Sequence, residues 1–213
     1  MQIKIYKAYD IKDKLKTRTL YEENFDIGKK DFIDYYYEVI IKRNEIVALE
    51  DDQGEVISMI HLNPYLYSIM GLESKVHYLV AVATKRAFRG QGYMKMTMDA
   101  ALNYLKSLNE PFCYIVPDTR ELITTYVKCG FEVVTNFNID KFSKDKYDIY
   151  PVYTDEYIEL MKKEKYFLDL ETEEYKRDLM QKMVMFKVFN YDMMGCKSID
   201  ELKNKSIYVC QEV

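Results

Sequence analysis

The chain has no tryptophan, two histidines, four cysteines, four prolines and seven glycines in 213 residues. Each scarcity excludes something. Cys113, Cys129, Cys196 and Cys210 lie far apart with no Cys-x-x-Cys pair, so they supply neither zinc spacing nor a disulfide framework, and no metal is expected. Reduced, mostly buried thiols are the expectation. No apolar run reaches the roughly 18 residues of a membrane span. The start, Met1-Gln2-Ile3-Lys4-Ile5-Tyr6, alternates like a strand where a secretory leader would carry an apolar block. A cytoplasmic protein without membrane contact is expected. Positive charge is not in excess either: 31 Lys+Arg against 35 Asp+Glu leave a net charge of -4. That balance argues against a dedicated nucleic-acid binder, which needs a concentrated basic face. Small or cationic partners fit better. There is no internal repeat and no low-complexity linker.

What is present suffices for a full core, since 48% of residues are hydrophobic. The 21 tyrosines, beside plentiful lysine, carry little functional weight as a bare count. Residues from about Tyr6 to Tyr37 read as helical with interruptions, Gly28 as a stop, and Asp31 to Tyr37 as further helical turns. The period then shortens. Glu45 to Glu50, the turn Asp51-Asp52-Gln53-Gly54 and Glu55 to Leu62 predict a β-hairpin. Asn63-Pro64 reads as a turn leading into a loop with Gly71, and Val76 to Ala83 as a central strand covered on both faces.

From Tyr93 to Leu108, apolar residues at Met94, Met98, Ala101, Leu102, Leu105 and Leu108 repeat at spacings of three and four, which predicts a helix ended by Asn109-Glu110-Pro111. Phe112 to Val116 is then a buried strand parallel to the one before the helix, completing a β-α-β unit. Arg120 to Lys128 predicts a short helix capped by Gly130, and Phe131 to Val134 the start of another strand. Helices are expected at Asp155 to Lys163 and around Glu173 to Lys182, and strands at Met183 to Phe189 and Ile207 to Cys210. The fold class is α/β (α+β), a mixed sheet flanked by helices. Residues 1–135 form the main domain, and residues 136–213 a small C-terminal extension packing on it or completing it.

The strongest chemical signal is the order strand, Arg89-Gly90-Gln91-Gly92-Tyr93-Met94, helix. It sets outward backbone N–H groups and the positive end of a helix beside a closely approachable backbone, and such a site grips phosphates. Gly90 and Gly92 present no side chain to a diphosphate, and Arg89 adds charge at the rim. The lysine-serine or lysine-threonine pair of a P-loop is missing. A dinucleotide fingerprint fails at Lys95, where its third glycine belongs.

This pattern resembles the GNAT superfamily of N-acetyltransferases, whose pyrophosphate loop begins with Arg or Gln and ends Gly, one residue, Gly or Ala; here those positions are Arg89, Gly92 and Met94. Met94 departs from the small last residue, a feature associated with the Eis-like (enhanced intracellular survival) branch. Leu62-Asn63-Pro64-Tyr65, Val82-Ala83-Thr84 and Gly92-Tyr93-Met94 resemble that branch too, over roughly residues 20 to 135. The resemblance implies an acetyl-CoA co-substrate held by Val82, Ala83, Thr84 and the stretch Arg89, Gly90, Gln91, Gly92, Tyr93, Met94 and Lys95. Backbone groups of Val82 to Thr84 would take the pantetheine arm like an added strand and stabilise the oxyanion.

Ile123 to Phe131 is similar to the family's tyrosine followed by Gly-Phe, which makes Tyr126 the general-acid candidate for the leaving thiolate. The base stays open among His77, His61, a water relay and the terminal carboxylate of Val213, which in that branch enters the active site. Both histidines read more readily as structural. The acceptor would be a primary amine, on a small molecule or a lysine. Tyr35-Tyr36-Tyr37 and Tyr65-Leu66-Tyr67, near Asp31, Asp34 and Glu38, suit a cation, although a solvated acidic face over a buried aromatic stripe reads as well.

The reaction expected is direct attack in a ternary complex. An acyl-cysteine route through Cys113 or Cys129 lacks a motif base. The rival from another class is a non-catalytic acyl-CoA sensor or assembly protein. Exposed tyrosines and a small extension are compatible with a homodimer.

Overall fold

Strand β1, Gln2–Tyr6, lies antiparallel to β2, Glu45–Glu50, and β2 lies antiparallel to β3, Val56–Ile69. The turn between β2 and β3 follows from its sequence. The Asp51 carboxylate accepts the N–H groups of Gln53 and Glu55 at 2.9 Å each, and Gly54 takes the left-handed backbone at φ +80°. These elements belong to a computed structural model that describes residues 1–25, 30–138, 142–168 and 182–209. Its contacts divide the chain into two units, Met1–Pro64 with Leu79–Leu105, and Tyr65–Tyr78 with the residues from Lys106 onward.

In the first unit the strands run in the order β1-β2-β3-β4, where β4 is Leu72–Thr84. Helices α1, Ile11–Leu15, α2, Arg18–Asn24, α3, Lys30–Glu38, and α4, Tyr93–Ser107, complete it. Gly28 lies outside the described residues. Helix α4 buries Thr97 and, of the face that its spacing predicts, Met98, Ala101, Leu102 and Leu105; Met94 is half-buried, and Leu108 falls past the helix end and is exposed. Helix α1 is pinned by Lys14, a fully buried lysine. Its ammonium donates to the carbonyls of Ile41 and, at 2.9 Å, of Asn44, so it has hydrogen-bond acceptors although burial lowers its pKa to about 8.

In the second unit the order is β7-β3-β4-β5-β8-β6. Strand β5, Phe112–Ile115, is parallel to β4 through His77↔Cys113 and Tyr78↔Tyr114, as the β-α-β reading requires. Helix α5, Arg120–Val127, is followed by Gly130 at φ +83° and by β6, Glu132–Asn136. Strand β8, Met183–Val188, inserts antiparallel between β5 and β6 and stacks Phe186 on Phe112 with ring centroids 4.2 Å apart. Thus a strand from the C-terminal region is interior to the sheet. The short strand β7, Ile149–Pro151, pairs with Tyr67 to Ile69 of β3, and helices α6, Asp155–Leu168, and α7, Ile199–Lys203, finish the unit. Ile207 makes a single parallel bridge to Ile149, while Cys210 and most of the helix expected around Glu173 to Lys182 lie outside the described residues.

Three expectations need correction. Strand β3 does not turn at Asn63-Pro64 but runs on to Ile69. Pro64 is tolerated because it falls between the residues that pair with β2, which end at Leu62, and those that pair with β7, which begin at Tyr67. The expected loop shrinks to Met70-Gly71, with φ of +51° and +84°. Positive φ at both positions is the signature of a tight hairpin turn. Third, β4 is not covered along its whole length: Val76 to Leu79 are buried, but Val80, Ala81 and Val82 are half-exposed. The architecture is otherwise the mixed sheet flanked by helices that the sequence predicts.

Candidate cofactor-binding site

The first unit brings together Val82, Ala83, Thr84 and Arg89 through Lys95 at the end of β4 and the start of α4. A single 3-10 turn, Arg86–Phe88, leads into the glycine turn. Gly90 at φ +77° and Gly92 at φ +85° carry the chain through backbone that side chains rarely adopt. Among the described residues, chain neighbours aside, no heavy atom lies within 4 Å of where a Cβ would stand on either glycine. Glycine is therefore required by conformation, and the space it leaves is open to an incoming group.

The Gly92 carbonyl accepts the first helical bond from the Met96 N–H at 3.1 Å, so α4 starts at this glycine. Its 15 residues present a full positive dipole end at the turn. A diphosphate fits this donor set, which combines first-turn N–H groups without intrahelical acceptors, absent side chains and a helix N-terminus.

Side chains close the turn on itself. The Gln91 amide donates to the Ala87 carbonyl at 3.2 Å. Lys95 pairs with Asp99 one helical turn on, at 2.5 Å. Tyr93 is half-buried, with its ring 6.0 Å from that of Phe88, and Met94 is half-buried beside it. The Arg89 guanidinium is exposed but turned back onto the unit: Nε donates to the Thr84 carbonyl at 3.1 Å, and Nη2 donates to Oδ1 of Asn24.

The end of β4 is fixed in the same way. Ser58 Oγ donates to the Ala83 carbonyl at 3.1 Å and lies 2.9 Å from Thr84 Oγ1, while the Lys85 N–H donates to the Ile57 carbonyl at 2.9 Å. Ala81 has φ +51° in the middle of β4, a left-handed residue that breaks the regular pleat just ahead of Val82. Neither Asn24 nor Ala81 is a sequence-predicted site residue. An asparagine closing a helix and an alanine inside an apolar run give no pattern that marks them.

In the second unit, Tyr126 is buried near the end of α5, with its ring 6.2 Å from Phe131. Its carbonyl accepts the N–H groups of Cys129 and Phe131, so the tyrosine and the Gly-Phe pair form one capping structure. Among the described residues its hydroxyl has no hydrogen-bond partner, and burial pushes its pKa up to about 12. Cys113 and Cys129 are both buried, and burial pushes the Cys113 thiol well above its ordinary range, which opposes nucleophilic use. Val213 lies outside the described residues.

Both histidines are buried. His61 is fully buried, its Nδ1 2.9 Å from the Tyr36 hydroxyl, and burial with nearby Lys14 lowers its pKa to about 3. His77 is equally buried, with Nδ1 2.6 Å from the Glu110 carboxylate. The aromatic run expected to face a cation is also core: Tyr35, Tyr36 and Tyr37 are 7%, 0% and 3% exposed. Tyr36 stacks on Tyr21 at 5.1 Å and accepts a hydrogen bond from the Asn44 amide at 3.2 Å. Asp34 is paired with Arg18. Tyr67 is buried against Phe112 and Tyr114, and Tyr65 packs edge-on against Tyr157. Among the described residues no group of three or more His, Cys, Asp or Glu is placed to hold a metal ion. No described helix is long and apolar enough to cross a membrane.

Solved structures share this architecture. A putative N-acetyltransferase from Lactobacillus plantarum superposes with a TM-score of 0.55 at 14% identity, covering 88% of this chain and 97% of its own. Rv2747 from Mycobacterium tuberculosis, in complex with CoA and NLQ, superposes with a TM-score of 0.52 at 16% identity, covering 88% and 99%. A probable N-acyltransferase from Enterococcus faecalis gives a TM-score of 0.52 at 15% identity over 63% of this chain, and the match spans only 33% of that longer protein. Identities this low establish the fold alone. No curated protein sequence matches the chain. A family model for the GNAT acetyltransferase domain matches residues 6–134, more than half of the sequence, and the chain belongs to that family.

Proposed function

We propose that this protein is an N-acetyltransferase of the Eis-like branch, moving an acetyl group from acetyl-CoA to a primary amine by direct attack in a ternary complex. The observation that carries the reading is the glycine turn at the start of α4, with two left-handed glycines opening on free space. The CoA bound by the Mycobacterium tuberculosis protein of the same fold supports the choice of co-substrate. Leu62-Asn63-Pro64-Tyr65 and Gly92-Tyr93-Met94 support the branch. Residues 1–135 would form the catalytic domain and residues 136–213 complete it, and the place of β8 inside the sheet supports that completing role.

In this reading Gly90, Gly92 and the first turn of α4 hold the diphosphate, and Val82 to Thr84 align the pantetheine arm. Bonds from Ser58 and Arg89 to the Ala83 and Thr84 carbonyls keep those peptide planes from rotating as charge develops on the thioester oxygen. The amine nitrogen bonds to the acetyl carbon, the carbon–sulfur bond breaks, and the proton lost by nitrogen balances the one gained by sulfur. Tyr126 donates a hydrogen bond to the departing sulfur. With His61 at a pKa of about 3 and His77 held by Glu110, the base of this reading is a water relay or the terminal carboxylate at Val213 that the resemblance implies. The acceptor is a cationic amine, on a small molecule or a lysine side chain, which the net charge of -4 favours.

A thermal-shift series with acetyl-CoA, CoA, NAD and ATP, followed by CoA release over an amine panel, tests the proposal. Stabilisation by acetyl-CoA and CoA alone, with release of CoA, is expected. No response to acetyl-CoA would overturn it, and binding without turnover of any amine would make the protein an acyl-CoA sensor. Adding residues after Val213 separates the two bases: loss of turnover assigns the carboxylate, and unchanged activity assigns the water relay.

A further inference from the structure

Arg89 opens the glycine turn, yet its guanidinium is held on two sides by its own unit: the last residue of β4 through the Thr84 carbonyl and the last residue of α2 through Asn24. The Asn24 amide is itself fixed, because its Nδ2 donates to the Leu20 carbonyl at 2.7 Å, which leaves Oδ1 as the atom facing Arg89. An acceptor presented in this way matches a guanidinium and would repel a phosphate. From this geometry we infer that Asn24 is a positioning residue for acetyl-CoA binding. It anchors Arg89 as a strut between α2 and β4, and the strut holds the turn from Gly90 to Gly92 in its phosphate-gripping shape. The role of Arg89 is then orientation more than charge neutralisation.

The inference rests on the acetyltransferase reading, so the wild type is first titrated with acetyl-CoA; absence of binding there would sink that reading on its own. Given binding, affinity, KM, kcat and melting temperature are measured for Asn24→Leu, Asn24→Asp, Arg89→Ala and the Asn24→Leu/Arg89→Ala double variant. Leucine keeps the size and removes the acceptor, whereas aspartate keeps an acceptor for the guanidinium. Asn24→Leu should raise Kd and KM for acetyl-CoA about threefold to tenfold, the effect of one charge-assisted bond at an exposed site, with kcat within about twofold. Asn24→Asp, which keeps the acceptor but loses the bond to the Leu20 carbonyl, should lose less affinity than Asn24→Leu, and Asn24→Leu should add nothing to Arg89→Ala. Unchanged affinity in Asn24→Leu, or additive effects in the double variant, would overturn the inference. An Arg89→Ala loss more than about tenfold beyond that of Asn24→Leu would also overturn it, because the guanidinium would then grip phosphate directly.

Discussion

Replacing Gly92 by alanine separates the two reasons for a glycine at that position. The first is conformational: at φ +85° an alanine suffers its Cβ against the following carbonyl, about 1–2 kcal/mol of strain. Among the described residues, chain neighbours aside, nothing lies within 4 Å of the new methyl group, so no clash with them adds to that strain. For a chain of this size about 1–2 kcal/mol lowers the melting temperature by roughly 2–8 °C. The second reason is functional, since the methyl group enters the space a diphosphate would take. Loss of one or two charge-assisted N–H···O bonds, about 1.5–3 kcal/mol each, weakens acetyl-CoA binding about tenfold to a hundredfold or more.

Gly54 supplies the control. It sits in the β2–β3 turn at φ +80°, also with nothing within 4 Å of a would-be Cβ. Gly54→Ala should therefore lose the same stability while keeping wild-type affinity. Differential scanning fluorimetry and calorimetric titration with acetyl-CoA read the two effects separately. Wild-type affinity in Gly92→Ala, with both variants equally destabilised, would reduce the Arg89 to Met94 segment to a tight turn and refute the reasoning.

Tyr126→Phe should lower kcat by about 10²-fold, the lower end for a positioned acid, with acetyl-CoA affinity unchanged. Because burial lifts the folded pKa to about 12, the phenol stays protonated below about pH 11, so wild-type kcat should show no alkaline fall from this group; a Tyr126-dependent fall near pH 9 would contradict the buried setting. His61 has its folded pKa lowered to about 3, so between the unfolded value near 6.5 and that value the unfolded chain binds the extra proton. Stability is therefore lost as the pH falls, by about 2 kcal/mol between pH 8 and pH 5 from this residue. Urea unfolding of His61→Gln should lack that share of the slope, and an identical slope in both proteins would refute it. Ala81→Val puts a β-branched residue at φ +51° and should destabilise by about 1–2 kcal/mol or more, whereas Ala81→Gly should melt no lower than wild type. Equal melting temperatures for valine and wild type would deny the left-handed conformation.

Much of the fold was legible because its elements obey one local period each. The hairpin of β2 and β3 carries its own turn chemistry at Asp51 and Gly54, and α4 repeats its apolar face without interruption. What escaped were features set by pairing partners. Asn63-Pro64 reads as a turn, yet the strand passes through because the proline stands where neither β2 nor β7 needs its missing N–H. Met70-Gly71 closes a hairpin without the Asn-Gly signature. Ala81 sits in a run of Val, Ala and Leu whose pattern says only strand, so its positive φ is invisible before the pairing is known.

The same division explains why the donor side of the candidate site reads out of the sequence and the acceptor side does not. The proposed diphosphate grip would depend on backbone N–H groups in conformations that only glycine adopts cheaply, so such chemistry would leave a mark at fixed spacing, here Gly90 and Gly92 ahead of a helical period. Recognition of an amine by aromatic faces leaves no such mark, because a ring that stacks on a cation and one that fills a core are the same residue. Tyr35 to Tyr37 make the point: adjacent acids suggested a cation box, but the rings of Tyr36 and Tyr37 pack on Tyr21 and His61, that of Tyr35 lies against Phe32, and Asp34 turns to Arg18. Such a run becomes evidence for an acceptor site only when its rings are exposed, and here they are the core that holds α3 against β3.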